Sequence, residues 1–426
     1  MTQAPQPAPG TLHVPDGDLD DLRQRLARTR FPDEAPGEPW AYGTSVAYME
    51  ELVRYWSEGF DWRAQEARLN ALPQYRVPLH GIDLHVLHVP GVGPDPCPLL
   101  LSHGWPGSVF EFLDIIPRLT DPARFGGDPA DAFTVVAPSL PGYGLSFAPG
   151  QPRFGVEAIA DCFAALMTDV LGYGRFAAQG GDWGSFVTAR LGHAYPERMI
   201  GIHLNLLPVR RDPAALANPT SEEARYLQEL AVFLKEETGY QWIQGTRPQT
   251  LAFGLTDSPA GLAAWVMEKF RAWSDCGGDV ESVFTKDQLL ANISLYWFTG
   301  HRLVVLALLR AHAWALADPG RRDGRRPDRI LRVPARDPAA APLACRARVH
   351  PHRALERDAP RRPFRRPGAA GRARGRDPRL LPHAAPVTAL ALSTQAGACA
   401  SVGATMSQLR EERRCAPRRG PEASRA

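Results

Sequence analysis

The stretch Gln179-Gly180-Gly181-Asp182-Trp183-Gly184-Ser185 decides the fold of this chain. It follows an apolar segment, residues 175–178, that we interpret as a short strand, and it precedes a segment, residues 186–191, that we interpret as a helix. A strand, a glycine-flanked turn and a helix together predict a nucleophile elbow, the G-x-nucleophile-x-G turn that lifts one side chain above the end of a sheet. Glycines at both flanking positions allow the sharp bend and the close packing that this turn requires.

The central residue of the elbow is Asp182 where many hydrolases have serine. A carboxylate cannot form the acyl-enzyme that serine forms with an ester, but it can attack an electrophilic sp³ carbon and become an ester itself. This restricts the chemistry to opening an epoxide or displacing a halide. The alternative is that Asp182 only caps the following helix, since aspartate is a good N-cap. The flanking glycines favour the nucleophile.

A second turn motif, His103-Gly104-Trp105-Pro106-Gly107-Ser108, follows the buried strand predicted for residues 98–101 and precedes a helix predicted for residues 109–119. A turn of the H-G-x-P type at this point supplies half of an oxyanion hole. We expect the backbone N–H groups of Trp105 and of Trp183, directly after the nucleophile, to face the reacting carboxylate. For His103 the sequence favours a role in ordering the loop over a catalytic role.

Strands alternate with helices along the chain, which predicts an α/β fold with a mostly parallel sheet flanked by helices. Alternating apolar residues over 75–89 indicate a hairpin, residues 133–137 a further strand, and residues 155–171 a crossover helix. We predict four segments, namely an N-terminal helical extension (1–75), an α/β-hydrolase core (76–207), an aromatic-rich helical lid (208–300) and a tail (301–426).

Composition excludes several classes of protein. The six cysteines of the 426-residue chain have neither metal-site nor disulfide spacing, so we expect no metal and a reducing, cytoplasmic location. The sequence contains no signal peptide and no apolar run near the roughly 20 residues that span a membrane. We therefore expect no membrane span.

The last part of the sequence differs chemically from the rest. Residues 301–426 contain 27 Arg, no Lys and 10 acidic residues, although the whole chain has a net charge of only +3. Of the 37 aromatic residues, only Trp314 and Phe364 lie beyond Gly300. Such a bias towards Arg, Pro and Ala is typical of GC-rich DNA translated out of frame. We predict that residues 301–426 are a frameshifted, largely disordered tail.

Together these motifs resemble the microsomal-type epoxide hydrolases, a family that includes the juvenile-hormone epoxide hydrolases. The resemblance covers about residues 12–300 and includes the two turns already described. Further matching segments are Pro138-Ser139-Leu140-Pro141-Gly142-Tyr143-Gly144, Gly239-Tyr240-Gln241-Trp242-Ile243-Gln244, Asp257 to Trp265, and Asn292-Ile293-Ser294-Leu295-Tyr296-Trp297. It implies an α/β-hydrolase fold, a role in detoxification or aromatic hydrocarbon catabolism, and no cofactor.

The resemblance also implies a role for each site residue. Asp182 would be the nucleophile that forms a glycol ester, and Tyr240 one of two lid tyrosines that hydrogen-bond the epoxide oxygen. The backbones of Trp105 and Trp183 would form the oxyanion hole. Expected partners are a lipophilic epoxide and water, without nucleic acid, and whether the chain is a homo-oligomer stays open. A second tyrosine, a water-activating histidine and its acid should follow residue 300.

That last set of residues is not found in the frame as written. Shifted by one base, the codons of residues 356–364 become compatible with a sequence ending in Gly-Gly-His-Phe, like the family's histidine motif. Residues 328–338 similarly become compatible with the segment that carries the acid, and Leu308-Leu309 with a Tyr-Tyr pair. Three histidines of the tail in the frame as written, His312, His352 and His383, are therefore poor candidates for the catalytic base.

Two other functions stay open from the residues alone. A haloalkane dehalogenase also has an aspartate elbow followed by tryptophan, as in Asp182-Trp183, but the N-terminal arm and the Gly239-Tyr240 motif favour an epoxide. A non-catalytic protein could instead bind nucleic acid through its Arg-rich tail. That tail contains almost no aromatic residues for stacking on bases, which argues against this alternative.

Overall fold

The computed structural model describes residues 6–206 and 218–300. In these ranges the strands are β1 (Ala8–Pro9), β2 (Gln74–Leu79), β3 (Ile82–Val89), β4 (Cys97–Ser102), β5 (Phe133–Pro138), β6 (Phe176–Gly180) and β7 (Met199–Leu204). They form one mixed sheet in the order β1-β2-β3-β5-β4-β6-β7. The strands β4 to β7 pair in parallel, whereas β1, β2 and β3 join the sheet by antiparallel pairing.

The helices surround this sheet and extend beyond it. They are α1 (Asp16–Ala27), α2 (Val46–Glu58), α3 (Trp62–Asn70), α4 (Ile116–Thr120), α5 (Val156–Ala165), α6 (Trp183–Ala194), α7 (Ser221–Glu236), α8 (Gly239–Thr246), α9 (Pro248–Asp257), α10 (Pro259–Trp273) and α11 (Lys286–Phe298). The α5 helix continues as a π-helical turn over Leu166–Val170. The sheet flanked by helices confirms the predicted α/β fold.

The parallel strands bring the two turn motifs to one edge of the sheet. β4 leads into the His103 turn and β6 leads into the elbow, and the last paired residues of these neighbouring strands are Ser102 and Gly180. A Cβ atom at Gly184 would lie 1.9 Å from the carbonyl oxygen of Ser102, and one at Gly180 would lie 2.0 Å from the carbonyl oxygen of Gly184. Only glycine fits at these two positions, because the elbow packs directly on the end of β4.

The N-terminal helices pack on α10 and α11, two helices of the segment predicted as a lid, through buried apolar and polar contacts. Trp56 of α2 donates its indole N–H to the hydroxyl of Ser294 on α11 at 3.0 Å. The hydroxyl of Thr44 donates to the carbonyl of Ala264 on α10 at 2.7 Å. Leu52 and Trp56 share one apolar core with residues of α10 and α11. These contacts hold the lid helices against the first helices of the chain.

One predicted helix is wrong. Residues 109–119 do not form a continuous helix, but a 3₁₀ turn at Val109–Phe112 followed by the separate helix α4. Pro117 lies in the first turn of α4. Proline has no N–H, and its ring clashes with the carbonyl four residues earlier, so it starts a helix instead of continuing one.

The predictions made for residues 301–426 lie outside the described residues. Among the residues that the structure describes, no helix is both long enough and apolar enough to cross a membrane.

Candidate active site

The elbow places Asp182 in an unusual backbone conformation. Its φ of 50° and ψ of −119° lie outside the regions that side-chain-bearing residues normally occupy. Strain of this kind persists where surrounding structure imposes it, and it concentrates at functional sites. Asp182 precedes α6, but its side chain makes no capping hydrogen bond to that helix. The side chain of Asp182 therefore does not act as the N-cap of α6.

The carboxylate of Asp182 is held by backbone N–H groups from both turns. The N–H of Trp105 donates to Oδ1 of Asp182 at 2.8 Å, and the N–H of the adjacent Trp183 also stabilises the charged carboxylate. Removal from bulk water raises the pKa of Asp182 from 3.8 to about 6, although these two backbone N–H groups act in the opposite direction. Asp182 is thus mostly ionised at neutral pH, and it accepts a hydrogen bond from Trp105, one of the two residues expected to form the oxyanion hole.

The turn that contains Trp105 is fixed by two hydrogen bonds from one helix. The amide of Asn292 donates to the carbonyl of Pro106 at 2.6 Å, and the hydroxyl of Tyr296 donates to the carbonyl of Gly107 at 2.7 Å. Both side chains come from α11, which packs over the turn. The Trp105 N–H is therefore held in place by hydrogen bonds to its own loop before any substrate binds.

His103 orders the neighbouring loop, as its sequence context suggested. Its Nε2 accepts the backbone N–H of Leu140 at 3.1 Å, and its Nδ1 lies 3.1 Å from the carbonyl oxygen of Gly104. Burial lowers the pKa of His103 to about 4, so the ring is neutral at physiological pH. Since both ring nitrogens face backbone atoms, His103 is not placed to activate a water molecule.

Tyr240 lies on α8 of the lid and packs directly on the oxyanion turn. Its ring is stacked on that of Trp105, with 5.1 Å between ring centroids and 12° between planes. Trp273 of α10 completes the cluster, 5.0 Å from the Tyr240 ring. The amide of Gln241 donates to the Tyr240 hydroxyl oxygen at 2.8 Å, a hydrogen bond that does not use the phenol proton. Trp105 thus contacts both Asp182, through its backbone, and Tyr240, through its ring.

Sequence reasoning missed a second carboxyl group beside Asp182. Glu111 lies in the 3₁₀ turn, and a Cβ atom at Gly107 would lie 2.4 Å from its Oε2. A Cβ atom at Gly104 would likewise lie 2.4 Å from Oδ1 of Asp182. Two glycines of one turn therefore make room for two carboxyl groups. Burial, and then the charge of Asp182, raise the pKa of Glu111 well above its ordinary value.

Two buried tyrosines, Tyr143 and Tyr296, also lie near enough to Asp182 for its charge to affect them. Burial raises the pKa values of Tyr143 and Tyr296 well above 10, and the nearby Asp182 carboxylate raises them further. Both therefore remain neutral phenols near Asp182. The sequence shows that Tyr143 and Tyr296 belong to motifs shared with the family. It does not show that they lie near Asp182, because this closeness arises from packing between elements that are distant in the sequence.

The described ranges contain no group of three or more His, Cys, Asp or Glu side chains arranged to hold a metal ion. The second tyrosine, the histidine and the acid that the family resemblance assigns to the region after residue 300 lie outside the described residues.

Comparison with known proteins supports one family. The model described as "Epoxide hydrolase N terminus" matches residues 7–112, and the model described as "alpha/beta hydrolase fold" matches residues 98–262. A putative epoxide hydrolase of Stigmatella aurantiaca is 46% identical over 291 residues, which cover 68% of this chain and 66% of that protein. Epoxide hydrolase 1 of Oryctolagus cuniculus is 37% identical, over 68% of this chain and 70% of that protein.

Solved structures give the same result. The juvenile hormone epoxide hydrolase of the silkworm Bombyx mori has a TM-score of 0.64 and 31% identity, covering 74% of this chain and 80% of that one. The epoxide hydrolase of Aspergillus niger also has a TM-score of 0.64 and 31% identity, over 73% of this chain and 80% of that one. This chain spans about two thirds of the length of the curated relatives it matches. By fold, by the two turns around Asp182 and by these similarities, the chain belongs to the epoxide hydrolase family of α/β-hydrolases.

Proposed function

We propose that this chain opens a lipophilic epoxide by attack of Asp182. The observation that carries the proposal is a carboxylate at a strained elbow, held at 2.8 Å by the N–H of Trp105, whose ring stacks on the lid residue Tyr240. An aspartate placed in this way can displace oxygen from a saturated carbon. The family relationship favours an epoxide over a haloalkane as the substrate.

The first step balances without any cofactor. A carboxylate oxygen of Asp182 forms a bond to one epoxide carbon while the bond from that carbon to the epoxide oxygen breaks. The oxygen leaves as an alkoxide and takes the phenol proton of Tyr240, which water later returns. The product is a 2-hydroxyalkyl ester on Asp182. Donation by Tyr240 strengthens as charge develops on the oxygen, so it stabilises the transition state more than the ground state.

The second step is hydrolysis of this ester to a vicinal diol. Water would attack the ester carbonyl of Asp182, and the N–H groups of Trp105 and Trp183 would stabilise the resulting oxyanion. This step needs a base to activate water. His103 is not placed to serve, and the tail as written carries no family histidine motif in its own frame. We therefore propose that the chain as written stops at the ester after one turnover.

The surroundings of the site support an apolar substrate. The rings of Trp105, Tyr240 and Trp273 form one aromatic cluster beside the oxyanion turn, and Trp183 packs on Phe186. We propose that water is the only other reactant and that nucleic acid is not a partner. The free cysteines of the described residues fit the proposed cytoplasmic location. The division into extension, core and lid at about residues 75 and 207 is part of the same proposal.

Reactions with styrene oxide and with 1-bromobutane distinguish opening of an epoxide by Asp182 from displacement of a halide by Asp182. The full chain is incubated with each compound, and intact mass spectrometry reports any covalent adduct, while chromatography reports diol or butanol. We expect one styrene oxide adduct per chain, much less than one equivalent of diol, and no butyl adduct or released bromide. Many equivalents of diol would contradict the single-turnover proposal. A butyl adduct without a styrene oxide adduct would contradict epoxide opening.

A further inference from the structure

A buried lysine lies in the aromatic cluster of the lid. Lys269 of α10 is only 5% exposed. Its Nζ lies 5.1 Å from the centroid of the Tyr240 ring and 5.3 Å from that of Trp273. Its carboxylate partner is the adjacent Glu268, whose side chain is more exposed to solvent. The charge of Lys269 is thus directed at the ring of the tyrosine that we assign to the epoxide oxygen.

Burial of an ammonium group is costly unless other groups replace its water. Here the faces of two aromatic rings do so, together with the Glu268 carboxylate. A cation within about 6 Å of a ring centroid is attracted by the negative face of the ring. Desolvation of the Lys269 ammonium group therefore costs free energy, while its contact with the Tyr240 ring is favourable. An apolar side chain at position 269 would fill the same space without the cost of desolvation. This indicates a functional reason for the lysine.

The position of the Tyr240 ring determines where its hydroxyl group points. Stacking on Trp105 with nearly parallel planes fixes the ring relative to the residue whose N–H holds Asp182. Lys269 contacts this same ring, and Gln241 holds the hydroxyl oxygen. A positive charge over a phenol also favours the electron distribution in which the oxygen has partly lost its proton.

We propose that Lys269 is a positioning residue for Tyr240, which holds the phenol ring against Trp105 and polarises its O–H towards the departing epoxide oxygen. The proposal rests on the proposed function, because it assumes that Tyr240 donates a proton to that oxygen. Lys269 itself does not touch the substrate. Its effect on the reaction passes through Tyr240, and this feature separates the proposal from a purely structural role.

The kinetic test is a double-mutant cycle on the full chain. Alkylation by styrene oxide is followed by intact mass in Lys269→Met, Lys269→Arg, Tyr240→Phe and the double variant Lys269→Met/Tyr240→Phe. We expect Lys269→Met to slow the maximal rate about 3–30-fold, the range of a desolvated cation–π contact, with little change in the half-saturating concentration. Arginine should restore most of the rate. In the Tyr240→Phe background, removal of the lysine should have no further effect.

A matched control is available in the same part of the molecule. Lys286 also lies over a ring, 5.9 Å from the centroid of Tyr55, and it pairs with Glu51 and Glu281, but it does not lie over the ring of Tyr240. Lys286→Met should leave the alkylation rate unchanged. An equal loss of rate from Lys269→Met with and without the Tyr240 hydroxyl would overturn the proposal, as would failure of arginine to restore the rate.

A second readout does not depend on activity. Tyr240 is replaced by 3-fluorotyrosine, and its phenol is titrated by ¹⁹F NMR in the parent, Lys269→Arg, Lys269→Met and Lys286→Met chains. Loss of the charge at position 269 should move the titration midpoint to higher pH, whereas the other two substitutions should not. An unchanged midpoint in Lys269→Met refutes the proposal. Absence of any adduct in the parent chain would instead refute the proposed function, and the titration would still decide the role of Lys269.

Discussion

The backbone N–H of Trp105 donates to Oδ1 of Asp182 at 2.8 Å, although the two residues lie 77 positions apart in the sequence. This hydrogen bond joins the turn after β4 to the elbow after β6. The indole ring of Trp105 extends in turn to Tyr240 in the lid. One residue therefore connects the proposed nucleophile, the proposed oxyanion hole and the proposed proton donor.

Tyr240→Phe should slow alkylation by styrene oxide about 10²–10³-fold, the typical loss when one donor to a developing oxyanion is removed. The phenyl ring retains the stacking on Trp105, so the melting temperature should change little. Rapid-quench mass spectrometry at several epoxide concentrations separates the effect on the maximal rate from that on binding. A variant that alkylates at the parent rate would show that Tyr240 is not the donor.

Asp182→Asn should stabilise the folded chain at neutral pH. The pKa of Asp182 is raised from 3.8 to about 6 on folding, so the native state binds more protons than the unfolded state between these values. The free energy of unfolding contributed by this group therefore falls as pH rises from about 4 to 6. Above pH 6 the variant should be more stable by up to about 3 kcal/mol, and the difference should vanish near pH 3. Urea unfolding across this pH range measures it.

Gly104→Ala should abolish alkylation. The added methyl would lie 2.4 Å from both Cβ and Oδ1 of Asp182, so the nucleophile must move. Overpacking of this kind typically costs about 1–3 kcal/mol of unfolding free energy. Gly254→Ala is a matched control, because this glycine lies within α9 and its Cβ would meet nothing within 4 Å. The control should keep the alkylation rate and gain slightly in stability. Full activity in Gly104→Ala would contradict the placement of Asp182.

Tyr296→Phe should loosen the oxyanion turn. The substitution removes the hydroxyl that donates to the carbonyl of Gly107 at 2.7 Å and leaves that buried oxygen without this donor. A loss of about 1–3 kcal/mol in unfolding free energy is expected. The alkylation rate should fall as well, because the turn carries the Trp105 N–H. Thermal unfolding together with the alkylation assay checks both effects, and a variant unchanged in either would argue that α11 does not fix the turn.

The elbow was predictable from the sequence because its requirements are local. A bend between a strand and a helix needs glycine at positions such as Gly180 and Gly184, and the side chain at the bend between them, Asp182, is the one that we propose as the nucleophile. The hairpin and the parallel strands were predictable for the same reason, since alternation and apolar runs reflect burial directly. The prediction of one helix over residues 109–119 was wrong. The apolar residues keep a helical spacing through Pro117, but proline cannot continue a helix and instead lies in the first turn of α4.

The rest of the site depends on contacts between distant elements. Nothing near Glu111 in the sequence indicates that its carboxyl is exposed to the charge of Asp182, which comes from the turn after β6. The cation–π contact of Lys269 with Tyr240 likewise joins two lid helices. Periodicity places such residues on a helix face, but only the packed structure shows which side chain they meet. Tyr240 itself was assigned through family resemblance and not from its spacing.

The most direct test of the account is to locate the covalent adduct. The full chain is treated with styrene oxide at a series of pH values, digested, and mapped by tandem mass spectrometry, with Asp182→Asn as the control. We expect one hydroxyphenylethyl ester on Asp182, none in the control, and a rate of formation that rises with pH to a plateau with a midpoint of about 6, the pKa of Asp182. An adduct on another residue, or equal labelling of the Asp182→Asn chain, would contradict the assignment of the nucleophile.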